Sequence, residues 1–136
     1  MRDINKIIIH CSATKEGRDV SIDTIRRWHV EGNGWSDIGY HYVIGLDGSV
    51  HKGRLNNTQG AHTKGHNKSS IGICYIGGCG AGMHPKDTRT EAQKESLEIL
   101  LEGLKFIYPD ATVHGHNEFS SKACPSFNVK EEYGNI

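Results

Sequence analysis

The sequence predicts an α/β fold in a single domain, with a central mixed β-sheet flanked by helices. Two observations indicate this class. Apolar runs of strand length alternate along the chain with segments of helical period. The length of 136 residues is that of one domain with its own hydrophobic core. We therefore expect residues 1–136 to form one unit.

The first predicted elements are a buried strand and a short helix. Lys6 to Cys11 is an isoleucine-rich run, which is typical of a buried strand. Because side chains alternate between the two faces of a strand, Cys11 should lie in the core and His10 should face the opposite side. Ser21 is a suitable N-cap for a helix from Ile22 to about Val30.

A hairpin and a third strand come next. The segments Tyr40 to Leu46 and Ser49 to Lys52 flank Asp47-Gly48, a residue pair with a strong hairpin preference. Ser70 to Ile76 is another apolar run and is expected to be a buried strand. Cys79 to Thr88 is Gly-rich and polar, so we expect a loop there.

A long helix dominates the second half of the chain. Thr90 and Gln93 have the spacing of a capping box, and Pro109 should end the helix. Between Thr90 and Pro109, apolar residues recur at helical spacing and predict one stripe packed on the sheet: Leu97, Leu100, Leu101, Leu104, Ile107 and Tyr108. Thr112 to Gly115 is expected to be a short strand, followed by a loop and one helical turn.

The charge balance excludes some classes of partner. The chain has 16 Lys plus Arg and 16 Asp plus Glu. This balance predicts neither a nucleic-acid partner nor attraction to an anionic membrane.

No apolar run approaches the ~20 residues of a membrane span, and no signal-peptide pattern opens the sequence. We expect a monomer made in the bacterial cytoplasm, with free thiols rather than a disulfide framework.

Histidine and cysteine carry the strongest functional signal. His116 and Cys124 lie in one segment near the end of the chain, and His10 ends the first predicted strand. Each alone is compatible with a structural role, but two imidazoles and one thiolate form a Zn²⁺ ligand set with one position open, as in catalytic zinc sites. Together they predict a zinc site. Glu118 lies between His116 and Cys124. We expect it to be a solvated surface carboxylate rather than a general base.

Five motifs occur in unbroken order between about Ile7 and Phe127: His10–Thr14, Gly34–Tyr42, Gly60–Asn67, Ser70–Ile73 and Lys122–Phe127. Together they resemble the zinc-dependent N-acetylmuramoyl-L-alanine amidases, the type 2 amidase family shared with peptidoglycan recognition proteins. Within that family the chain is most similar to the short phage endolysins called amidase-type lysozymes.

The resemblance implies a role for each matching residue. His10, His116 and Cys124 match the three zinc ligands of the family. Tyr40 matches the catalytic tyrosine, and Lys122 matches the catalytic lysine of the phage branch. The zinc ion is accordingly expected at one edge of a surface groove.

The resemblance also points to the substrate-binding residues. His62 and Thr63 lie in the motif that borders the substrate groove of the family. Trp35 precedes the catalytic tyrosine in a Gly-Trp turn, where stacking on substrate and packing on protein both remain open. Trp28 shares a predicted helix face with Ile25, so we expect it to pack.

The implied function is zinc-dependent hydrolysis of the amide bond between N-acetylmuramic acid and L-alanine in peptidoglycan. A phage or prophage endolysin of this type would act on the cell wall after holin-type or other delivery. Two alternatives remain: a non-catalytic module that recognises peptidoglycan, and an antibacterial amidase toxin with the same chemistry. The complete ligand set, with Tyr40 and Lys122, favours an enzyme over a pure binder.

Overall fold

A mixed β-sheet forms the centre of the computed structural model, which describes residues 2–136. The elements are, in chain order, β1 (Lys6–Cys11), β2 (Thr14–Lys15), α1 (Ile22–Arg27), β3 (Tyr42–Ile44), β4 (Val50–Lys52), β5 (Ser70–Tyr75), β6 (Gly78–Cys79), α2 (Glu91–Ile107), β7 (Thr112–Gly115) and α3 (Val129–Tyr133). The five-stranded sheet has the order β4-β3-β5-β1-β7, and β2 pairs with β6 in a small second sheet.

Strand direction makes the main sheet mixed. β3, β5, β1 and β7 are parallel, whereas β4 pairs antiparallel with β3. In this register Ile7 lies between Ile71 on β5 and Val113 on β7. Parallel strands covered on both faces are apolar throughout, which explains the isoleucine-rich runs. The predicted fold class is confirmed.

Helices cover both faces of the sheet. On one face, Leu97 and Leu101 of α2 belong to the same buried cluster as Ile9 and Cys11 of β1. The other face carries a second cluster around Ile25 of α1. Cys11 is therefore a core residue, as the alternation of side chains along the strand predicts.

The long helix has the predicted start but a narrower apolar stripe. Thr90 and Gln93 form both hydrogen bonds of the capping box, which confirms that prediction. Leu104 is buried, but Ile107 is 59% exposed, so its assignment to the packed stripe was wrong. Ile107 lies at the margin of the buried face and in the last turn, where the helix no longer covers the sheet.

The first helix departs from the expected course. Ser21 caps it as predicted by accepting a hydrogen bond from the Thr24 N–H. The α-helix ends at Arg27 and continues as a π-helical turn, Trp28–Gly32. A π turn contains more residues than an α turn and so changes which side chains face the core. Trp28 is consequently 40% exposed, and the prediction that it packs was wrong.

Two connections also differ in detail. The predicted hairpin exists, but its loop spans residues 45–49, with Gly48 at a φ of +84°, rather than two residues. The expected loop at 79–88 begins with the short strand β6. No helix within residues 2–136 is long and apolar enough to span a membrane.

Candidate active site

The register of two parallel strands brings two of the predicted metal ligands together. Ile9 on β1 is paired with Gly115 on β7. The residue that follows each of these is a histidine, so His10, near the end of β1, and His116, directly after β7, lie side by side. Their ring centroids are 4.5 Å apart.

The third predicted ligand comes from the segment that follows β7. Cys124 lies next to β1, where the Cys11 backbone N–H donates to its Sγ at 3.1 Å. The ligand atoms of His10, His116 and Cys124 all lie within 4.8 Å of one another. This distance allows one metal ion to contact all three, and a backbone N–H donor is a suitable partner for a thiolate.

Hydrogen bonds from neighbouring elements fix the segment that carries Cys124. The buried Tyr75 hydroxyl donates to the Pro125 carbonyl at 2.6 Å. The Ser126 hydroxyl donates to the Gly78 carbonyl at 2.9 Å. The thiol is therefore held in place by the two sheets, although its segment has little regular structure.

The ring nitrogens of His10 have different surroundings. Its Nε2 lies 2.9 Å from His62 Nδ1 and 3.2 Å from the Thr63 hydroxyl, which leaves Nδ1 for a metal ion. Burial lowers the pKa of His10 well below its usual value, and burial also lowers the pKa of His62 to about 3. Both rings are thus neutral near pH 7, and a neutral imidazole is the form that binds metals. The residues present fit a single metal ion.

Both predicted catalytic residues lie beside this ligand set. Tyr40 is half-buried, and its ring centroid is 5.1 Å from that of His10. Burial raises the pKa of Tyr40, so its phenol keeps its proton. Lys122 is exposed at the mouth of the same recess. Burial and the nearby Lys122 charge lower the pKa of His116.

A groove of about 560 Å³ leads away from the ligand set. It shares Trp35, His62, His116 and Lys122 with a smaller recess of about 270 Å³ that contains the ligands. Thr63 also lines the groove but is only 2% exposed. A larger cavity of about 660 Å³ lies elsewhere and contains none of the predicted site residues.

Trp35 contributes to both packing and the groove. Its ring lies 4.8 Å from that of His29 in an edge-on arrangement, and it lines both the groove and the recess. Its packing on protein is thus observed, whereas its stacking on substrate stays a prediction.

The sequence analysis missed one residue of the recess, His29. His29 lines the recess because the π turn directs it there, and its Nδ1 accepts a hydrogen bond from the Gly39 N–H at 2.9 Å. No sequence pattern distinguishes such a turn from an α-helix. Glu118, which lies outside the recess, accepts from the Gly115 N–H at 2.7 Å and lies 2.9 Å from His114 Nδ1; that it is not a general base stays a prediction.

A parallel sheet edge with two imidazoles, a thiol and an adjoining groove is typical of hydrolases that use one metal ion. Comparison with known proteins gives the family. The model of the N-acetylmuramoyl-L-alanine amidase family, Amidase_2, matches residues 1–127. An endolysin of Klebsiella phage KP32 is 43% identical over 129 residues, which cover 95% of this chain and 85% of that protein.

Solved structures agree with this assignment. The N-acetylmuramoyl-L-alanine amidase LysC from Clostridium intestinale superposes with a TM-score of 0.80 at 27% identity, covering 96% of this chain and 85% of that one. Bumblebee PGRP-SA gives a TM-score of 0.81 at 30% identity, covering 99% and 83%. The chain belongs to the N-acetylmuramoyl-L-alanine amidase family. Its activity is hydrolysis of the amide between N-acetylmuramic acid and L-alanine in peptidoglycan.

Proposed function

We propose that this amidase uses one Zn²⁺ ion bound by His10, His116 and Cys124, and that it acts as a monomeric endolysin. The observation that carries the proposal is the approach of these three ligand atoms to within 4.8 Å in the recess beside the groove. A thiolate with two imidazoles favours zinc over the hard cations that prefer oxygen ligands. The ligands and the groove all come from one chain, so residues 1–136 would suffice as one catalytic domain.

A Zn²⁺ ion held by His10, His116 and Cys124 would supply a nucleophilic water near neutral pH and would polarise the scissile carbonyl. The chain's own residues handle the charge that develops. The Tyr40 phenol, which keeps its proton and lies beside His10, would donate a hydrogen bond to the developing oxyanion. The Lys122 ammonium, at the mouth of the recess, stabilises the same negative charge.

The groove binds the muramyl peptide next to this centre. The Trp35 ring offers an apolar wall shared by groove and recess. His62 lines both cavities and contributes one edge to the substrate-facing surface. Thr63 contributes less directly, because its side chain is directed towards His10.

The complete set of ligands and catalytic residues favours cleavage over recognition without cleavage. Likeness to PGRP-SA alone would fit a binding module. A module that only binds peptidoglycan has no need of a thiol and two imidazoles within reach of one ion, together with Tyr40.

A digestion assay tests the chemistry. Purified peptidoglycan should yield new L-alanine amino termini without new reducing sugars, a chelator should stop the release, and added zinc should restore it. His10→Ala should be inactive, whereas His51→Ala, which changes an exposed histidine of β4, should cleave like the wild type. New reducing ends, or cleavage that resists chelation, would contradict the proposal.

Delivery can be tested separately in cells. As the similar KP32 protein is an endolysin, we propose that this chain reaches the wall only when a holin or an export signal takes it across the inner membrane. Expression in the cytosol of a Gram-negative bacterium should then be tolerated, and co-expression with a holin should cause lysis that requires His10 and Cys124. Prompt lysis without a holin would refute this route.

A further inference from the structure

The side of His10 that faces away from the other ligands contacts two neighbouring side chains. The His10 ring is 1% exposed. Its Nε2 lies 2.9 Å from His62 Nδ1 and 3.2 Å from Thr63 Oγ1. The last two atoms are themselves 3.0 Å apart, so three polar atoms form a closed triangle.

Metal binding by His10 restricts where the protons of this triangle can be. An imidazole that binds a metal through Nδ1 carries its proton on Nε2. That proton needs an acceptor, and His62 Nδ1 accepts only when the proton of His62 is on its own Nε2. The latter atom lies 3.3 Å from the Ser70 hydroxyl, which is the available acceptor. The reverse arrangement would protonate His10 at Nδ1 and block the metal.

The Thr63 hydroxyl strengthens the productive arrangement. It accepts from His10 Nε2 or donates to His62 Nδ1, and both bonds are compatible with a proton on His10 Nε2. Ligating histidines usually donate to a carboxylate, a backbone carbonyl or water. Here the acceptors are a neutral imidazole and a hydroxyl, so the positions of their own protons decide whether they can accept from His10 Nε2.

The backbone around the pair is fixed from two sides. The Asn67 side-chain oxygen accepts from the backbone N–H groups of His62 at 2.9 Å and Thr63 at 2.8 Å. On strand β5, a Cβ at Gly72 would lie 2.6 Å from the His62 ring. The absence of a side chain there lets the ring lie against the strand and face His10.

We propose that His62 and Thr63 are positioning residues that fix His10 as an Nδ1 ligand, and that Asn67 holds the pair in place. The inference rests on the zinc site proposed above. It assigns the buried Thr63 hydroxyl to His10 rather than to substrate.

Paired substitutions separate hydrogen bonding from shape. Thr63→Val removes the hydroxyl with little change in shape, and Thr63→Ser keeps it. His62→Phe keeps a ring without nitrogen, and His62→Asn places an oxygen near the Nδ1 position. Asn67→Ala removes the acceptor, and Asn67→Asp keeps it.

Zinc affinity, measured by competition with a chromogenic chelator, is the first readout. Thr63→Val, His62→Phe and Asn67→Ala should bind zinc about 10–100-fold more weakly than the wild type. The conservative partner of each should recover most of the loss. Thermal unfolding of the metal-free proteins measures any structural effect. A purely structural effect would lower the stability, and the two variants at one position would then have the same zinc affinity.

Nitrogen chemical shifts of His10 in the zinc-loaded wild type provide a second readout. They should show a metal-bound Nδ1 and a protonated Nε2. A metal-bound Nε2 would overturn the inference, as would unchanged zinc affinity in both Thr63→Val and His62→Phe, while the zinc site itself would stand. A wild-type chain that binds no zinc would instead refute the proposed site.

Discussion

Substitution of Tyr40 and Lys122 can distinguish a role in catalysis from a role in metal binding. Tyr40→Phe and Lys122→Ala should keep zinc and fold but lower turnover by about 10²–10³, because each removes one contact to the charge that develops in the transition state. Turnover at saturating peptidoglycan fragment and zinc content by elemental analysis check this.

Matched changes outside the recess provide the controls. Tyr42→Phe alters a half-buried tyrosine of β3, and Lys130→Ala removes an exposed cation of α3. Both should retain wild-type turnover. If Tyr40→Phe or Lys122→Ala also does so, that residue has no catalytic role.

A different histidine makes stability depend on pH. His41 is fully buried, and its Nδ1 accepts from the Gly72 N–H at 3.0 Å while its Nε2 donates to the Thr58 carbonyl at 2.8 Å. The Arg2 guanidinium lies 3.1 Å from that Nε2. Burial, aided by the Arg2 charge, lowers the pKa of His41 from 6.5 to about 4.

The direction of the pH effect follows from this lowered pKa. Between pH 6.5 and about 4 the unfolded chain binds a proton at His41 that the folded chain does not. The free energy of unfolding should therefore fall as the pH drops through this range, by about 3 kcal/mol from this group. His41→Asn, whose side-chain oxygen can still accept from Gly72, should flatten that decline.

Urea unfolding of chelator-treated protein at several pH values measures the decline. Other buried histidines with lowered pKa values, including His10 and His62, also make stability fall at acid pH. The quantity compared between variants is therefore the slope of the free energy of unfolding against pH. His51→Asn, at an exposed position of β4, serves as the control. A slope for His41→Asn equal to that of the wild type would show that His41 does not contribute.

At the scale of elements, one buried arginine connects the C-terminal helix to the rest of the fold. The Arg89 side chain is fully buried, with Asp87 at 2.9 Å and Glu132 of α3 at 2.8 Å. It also donates to the Tyr133 hydroxyl at 2.7 Å and lies 3.5 Å from the ring centroid of Phe127. Phe127 follows the segment that carries Cys124, so this contact also supports the ligand segment.

Arg89→Met should lower the free energy of unfolding by about 2–4 kcal/mol, because it removes the cation shared by two carboxylates and the stacking on Phe127. The loss falls below that of a fully buried pair, since both carboxylates are partly exposed. Urea unfolding of the metal-free protein measures it. Lys94→Met, which breaks a solvent-exposed pair with Glu91, should cost under about 1 kcal/mol. Equal losses in the two variants would contradict the anchoring role of Arg89.

At the scale of the whole molecule, zinc should stabilise the folded chain. The ligands come from opposite ends of the sequence, His10 on β1 and Cys124 after β7, and only the folded sheet brings them together. Zinc at about 100 times its dissociation constant should add about 2.7 kcal/mol, which corresponds to a rise of roughly 10 °C in the melting temperature.

Thermal unfolding with and without zinc checks this linkage. Cys124→Ser should lose most of the zinc-dependent rise. Cys79→Ser, at a buried cysteine of β6, should keep it even if its metal-free form is less stable. A similar rise in Cys124→Ser and the wild type would exclude the thiol as a ligand.

The sequence alone determined the fold class, the main strands and the long helix. Isoleucine runs such as Lys6–Cys11 are local patterns, and the capping box at Thr90 depends on residues three apart. The sequence also predicted a group of two imidazoles and one thiol, and the structure brings these three side chains together. The five ordered motifs then indicated the family, which the comparison confirmed.

Only the tertiary structure decided how these parts face one another. The π turn that moves Trp28 outwards and His29 into the recess leaves no sequence signal. The Thr63 hydroxyl lies 3.2 Å from His10 Nε2, and the neighbouring His62 ring occupies the space left by the missing side chain at Gly72. Ile107 matches the helical period yet is exposed. Local patterns encode interactions between near neighbours, whereas these placements follow from strand register and packing between residues far apart in the chain.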